Sequence, residues 1–182
     1  MITKDEIKAK AEETMAKPTD LQLNDWNDLV NVYNDESDRG AAILAGSFLE
    51  NALGLFLRSK ARDSKVADQL FGAMGPLSSF SQRIAVAYAF SFIPEWQYRD
   101  LELLRKIRNH FAHHPLDATF ISPEVMQLTA KLSSIQHCPE AQYPEARVRW
   151  RTVYLLGCGG LAGWYVHESD LSRHLPAPDS RP

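Results

Sequence analysis

Only two cysteines, Cys138 and Cys158, occur in the 182 residues. That is too few for a disulfide framework, and the N-terminus shows no secretory signal pattern. The expectation is a reduced, cytoplasmic protein. Charge of one sign is also lacking: 20 Lys and Arg against 23 Asp and Glu leave a net charge of -3. There is no chain-wide electrostatic footprint for nucleic acid, so any such contact has to come from a local patch. The uncharged stretch "TVYLLGCGGLAGWYV", Thr152 to Val166, falls short of the roughly 20 residues a membrane helix needs. It follows the charged "EARVRWR", which suits a helix leaving the surface for the core, so no membrane role is expected. A Gly-rich phosphate loop, a serine nucleophile motif, paired catalytic carboxylates and a recognisable helix-turn-helix are all missing. So are repeats and low-complexity runs. With 45% hydrophobic and 24% charged residues, what remains is one soluble globular domain.

Strand-like alternation is scarce and helical periodicity is everywhere, so the fold class is all-α. "TKDE" (Thr3 to Glu6) is a capping-box pattern opening a short helix that ends before Pro18. "LNDWNDLVNVYND" spaces Trp26, Leu29, Val30 and Tyr33 as a second. Asp35 is expected to cap a long helix from Glu36 to about Lys60. After a short helix at "SKVADQLF" and the "GAMGPL" turn, Ser79 and Gln82 form a second capping box, opening "SSFSQRIAVAYAFSFI". Pro94 starts the next helix and Pro115 ends it. "SPEVMQLTAKLSSI" has Ser122 as cap and Pro123 in the first turn. The last helix spans about Pro144 to His167. Its Gly157, Gly159, Gly160, Ala162 and Gly163 are expected to admit another helix at close range. The sum is a single-domain bundle of about seven to eight helices. Residues 1–34 supply N-terminal helices packing on it, 35–170 form the helical domain, and 171–182 are expected to be a disordered tail.

Between Gly40 and Leu57 the long helix carries one charge, Glu50, and the helix opened by Ser79 also carries one, Arg83. Burying either unpaired would be costly, so Glu50 is expected to meet Arg83 or Arg108, with Ser47 and Asn51 completing a polar stripe. The stretch "LLRKIRNHFAHHP", Leu103 to Pro115, is the other concentration of chemistry. Leu104, Ile107 and Phe111 share its buried face, and Arg105, Asn109 and His113 another. Three readings are open. Basic residues in a last turn suit the helix dipole. His110 and His114 have helical metal-ligand spacing, although Pro115 stands against a helical His114 and no cysteine lies near in sequence. Histidine, arginine and asparagine together also suffice for metal-free acid-base chemistry on a phosphodiester.

"ESDRGAAILAGSFLENALGLFL", "GPLSSFSQRIAVAYAFSFI" and "DLELLRKIRNHFAHH" resemble, in order and spacing, the signature blocks of the mannitol operon repressor family. "CPEAQYPEARVRW" leading into an apolar helix also fits, and the resemblance runs from about Asp35 to Val166. It implies a helical bundle and a transcription regulator with no recognisable DNA-binding domain. Such a protein works through a partner, another regulatory protein, without sequence-specific DNA binding of its own. The chain also resembles the wider HEPN superfamily, which includes metal-independent endoribonucleases that act as toxins or defence effectors. Arg108, Asn109 and His113 of "RNHFAH" match that superfamily's motif. The implied roles are His113 as general acid/base, Arg108 on the scissile phosphate of RNA and Asn109 as orienter. The two ends of the motif lie roughly 140° apart on one helix, and in HEPN ribonucleases two copies meet across a homodimer. Neither resemblance implies a cofactor or a metal.

Overall fold

The hydroxyl of Ser37 accepts the N–H of Gly40 at 3.0 Å and opens the first helix, α1, Asp38–Ser59. The computed structural model describes Tyr33 and residues 35–174. The helices expected before Tyr33 and the last eight tail positions, 175–182, lie outside the described residues. The cap is Ser37 and not Asp35, because Ser37 holds the extended backbone (ψ 163°) a cap needs. Asp63 caps α2, Ser64–Phe71, by accepting from Val66 N at 2.9 Å. The expected capping box opens α3, Phe80–Ala89: Ser79 N donates to Gln82 Oε1 at 3.1 Å and Gln82 N to Ser79 Oγ at 3.4 Å. α4 runs Glu95–His113 between Pro94 and the non-helical His114. After α5, Pro123–Thr129, comes a 3-10 turn, Ser133–His137, and then α6, Ala146–His174. No strand occurs among the described residues.

Three further boundaries differ from the sequence expectation, each for a physical reason. α3 stops at Ala89 rather than near Ile93. Phe92 N–H reaches back to Ala87 O and Ser91 N–H to Tyr88 O, both at 2.9 Å, with Ser91 left-handed at φ 57°. That is the helix-ending pattern in which glycine is the usual residue. Ser91→Gly is therefore expected to stabilise the fold by about 1 kcal/mol, measurable as a rise in the urea midpoint. The helix expected over 122–135 breaks after Thr129 because both Asp100 carboxylate oxygens accept Ser133 N–H at 3.2 Å. α6 continues past His167 to His174, into the segment expected to be a tail; the next proline is Pro176.

α1 is the central helix. It packs most extensively on α6, with α4, α3 and α2 around its other sides. By length and composition it could cross a membrane, and here its apolar sides are the core itself. Ala41, Ala42, Ala45 and Ala52 are fully buried, and their small side chains let neighbouring helices close on the axis. Tyr154 of α6 is buried against α1 and donates its hydroxyl to Ala42 O at 2.8 Å. Burial pushes that phenol's pKa up, so it stays a neutral donor. Three glycines of α6 divide into two sets. A Cβ on Gly157 would lie 3.3 Å from Leu104 of α4, the close approach expected. At Gly160 and Gly163 it would meet nothing within 4 Å, so packing among the described residues does not call for glycine there.

Asp38, 5% exposed, joins the start of α1 to the start of α6 and to the loop before α5. It accepts from Arg147 Nε and Nη2 at 3.0 Å each, from Arg151 Nη1 at 2.9 Å and from Phe120 N–H at 3.1 Å. Arg151 also donates to Glu36 O at 2.7 Å and to Tyr33 O. Burial alone would raise this carboxyl. The arginine and backbone hydrogen bonds outweigh it and hold the pKa below the usual value.

Candidate functional site

Gly46, Glu50 and Gly54 follow one another at four-residue spacing along one face of α1. That spacing stacks them a helical turn apart. The side chain of Arg108, from α4, lies over Gly46: a Cβ there would sit 2.7 Å from Arg108 Cγ and 2.9 Å from Tyr154 Oη. Arg83, from α3, lies over Gly54, with Nη1 3.1 Å from the same imagined atom. Glu50 falls between, its carboxylate 3.9 Å from Arg83 Nη1 and 3.8 Å from Arg108 Nη2. Glycines thus make room for two arginines, and the one acid of the helix interior sits between them.

Arg83 is held at more points than its ion pair. Nε donates to Leu77 O at 2.9 Å, Nη1 to the carbonyl of Glu50 at 3.1 Å and Nη2 to Ser78 O at 3.5 Å. Burial is the main influence lowering its pKa, opposed by Glu50 and reinforced by Arg58. Arg108 Nη1 donates to Asn109 Oδ1 at 3.2 Å, while its Nε is buried with no hydrogen-bond partner among the described residues. Asn51 is exposed and Ser47 half-buried, so the stripe expected to run through both turns outward at Glu50. One residue further along a helix is a rotation of roughly 100°.

The three histidines of α4 and its cap part company. His110 is nearly covered, with Nδ1 3.2 Å from Glu124 Oε2 of α5. His114 stacks on His110 with ring centres 4.4 Å apart, and its Nδ1 lies 4.0 Å from Asp117. His113 is exposed and makes no hydrogen bond or ion pair with a described residue. Among the described residues no group of three or more His, Cys, Asp or Glu is placed to hold a metal ion. Arg108 and Asn109 are therefore joined by a hydrogen bond, whereas His113, five residues past Arg108, has its Cα direction roughly 140° away around the helix. Chemically, the inner part is an ion-pair network that fixes α3 and α4 on α1. Sequence reading missed Gly46 and Gly54; the signal was glycine four residues to either side of a lone acid in an apolar helix.

Residues 37–154 match the family described as mannitol repressor. Two solved structures are similar in fold. One is a chain of the MtlR–HPr complex from Escherichia coli, with TM-score 0.63 and 20% identity, covering 77% of this chain and 97% of that one. The other is a possible transcriptional regulator, YggD, from Shigella flexneri, with TM-score 0.64 and 14% identity, covering 76% and 97%. No curated protein sequence matches the chain significantly.

Proposed function

Because the chain belongs to the mannitol repressor family, we propose that it is a cytoplasmic transcription regulator that binds another protein instead of reading DNA itself. Residues 35–170 form the regulatory domain, paired with a second copy as a homodimer. The supporting observation is the state of the arginines on α4, the helix with the densest basic sequence. Arg99 pairs with Glu95, Arg105 with Glu102 at 2.8 Å, and Arg108 with Glu50. Arginines already holding carboxylates are poorly placed to neutralise phosphates, and affinity for DNA is dominated by that neutralisation. HPr, with which the Escherichia coli protein of similar fold forms a complex, is the first partner to try.

Titration calorimetry of the purified chain with HPr should show saturable heat. The same protein should bind operator-length duplex weakly and without sequence preference. A tight, sequence-specific DNA complex formed without any partner would overturn the reading. A second reading is favoured by one observation, half-buried Asn109 and exposed His113 on one face of α4. A twofold partner placed there could complete a HEPN-type ribonuclease site with Arg108, Asn109 and His113.

A further inference from the structure

Gly160 and Gly163 weaken the middle of α6 with no packing reason among the described residues. The space beside Gly160 belongs to a groove of about 560 Å³ between α6, the first turns of α4 and the 3-10 turn. That volume falls in the range of sites that hold ligands. Trp96 and Leu156 line it and are 52% and 46% exposed, with Trp164 beside them. Such large apolar side chains left to water in one concave place mark an interaction surface.

One lining group carries charge without a counter-charge. Asp100 is 5% exposed and accepts hydrogen bonds from Ser133. Among the described residues no Lys, Arg or His lies within ion-pair distance of it. Burial raises its pKa, as expected of a carboxylate still short of a cation. A carboxylate has acceptor sites beyond those that the backbone N–H and side chain of Ser133 occupy.

We propose that this groove docks a segment of a partner protein carrying a large apolar side chain and a neighbouring lysine or arginine. The segment's backbone runs close to α6 at Gly160, where no side chain keeps it away. Its apolar group packs among Trp96, Leu156 and Trp164, and its cation sits against Asp100. Indole faces add to the preference for a cation. The inference rests on the reading that the protein works through protein contacts, and gives that contact a place and a chemistry.

The test is selection of a displayed random-peptide library on the full chain, followed by anisotropy titration of the selected peptides. Enriched sequences should pair aromatic or aliphatic residues with Lys or Arg. Gly160→Leu, which fills the groove where space is open, should keep or raise the melting temperature and abolish binding. Asp100→Asn retains an acceptor for Ser133 and should weaken binding by about tenfold or more. If Asp100→Asn does not fold, Gly160→Leu decides alone. Peptides that are acidic, that bind Gly160→Leu equally well, or that fail to enrich at all would overturn the proposal. So would a homodimer of the parent chain that Gly160→Leu dissociates, since a second copy would then own the groove. Saturable heat with HPr alongside any of those results would leave the regulator reading standing and remove only the groove.

Discussion

Asp38→Ala should lower the free energy of unfolding by about 3 to 5 kcal/mol, the cost of removing one partner from a buried ion-pair network. The substitution leaves Phe120 N–H without its acceptor and Arg151, 15% exposed, without its carboxylate. Arg147, 52% exposed, can turn to water, which places the loss toward the lower end. Asp38→Asn keeps an acceptor and should cost less. The pH dependence has a fixed sign. The folded carboxyl titrates below its unfolded value, so its stabilisation is complete above the ordinary carboxylate value of about 3.9 and is lost as pH falls through the folded value. In urea melts across that range the parent chain should lose stability and converge on Asp38→Asn. A constant gap between the two proteins down to strong acid would show that the carboxylate is not what holds these segments.

Gly46→Ala and Gly54→Ala are the same chemical change two turns apart, and they should part in outcome. At Gly46 the new methyl would lie 2.7 Å from Arg108 Cγ and 2.9 Å from the hydroxyl of Tyr154. Tyr154 is fully buried and bonded to Ala42 O, so it has nowhere to retreat. Overpacking of this kind costs about 1 to 3 kcal/mol, more than the better helix propensity of alanine returns. At Gly54 the neighbour is the far end of Arg83 at 3.1 Å, which can shift by a few tenths of an ångström. Propensity should then offset the crowding to within about 1 kcal/mol. Guanidinium melts of the two proteins side by side measure the difference. Equal midpoints would mean that α1 does not approach Arg108 as closely as described.

The features legible in the sequence were those carried by local pattern. The capping box at Ser79 and Gln82, the prolines bounding α4, and the two isolated charges of α1 and α3 each announce themselves within one helix. The Asp38 cluster does not: its arginines lie 109 and 113 residues away, and acids and arginines are common enough that no spacing picks out the pair. The break after Thr129 had a similar origin, since Asp100 on another helix takes the N–H of Ser133. At the end of α3 the usual punctuation was simply absent, because serine stands where glycine normally marks the turn. In "RNHFAH" the residue types were legible but their direction was not. Whether Arg108 points at Glu50 or at a substrate depends on Gly46, 62 positions earlier in the sequence.

That choice is open to one assay: RNA incubated in EDTA with the parent chain, His113→Ala and Arg108→Ala, with a melting curve for each. If Arg108 serves the network around Glu50 and the protein is a regulator, no variant cuts RNA. Arg108→Ala then melts lower because it leaves Glu50 with one arginine, and His113→Ala melts with the parent. Cleavage by the parent chain that falls by about a hundredfold or more in His113→Ala, with its melting curve unchanged, would contradict this and make α4 a ribonuclease face.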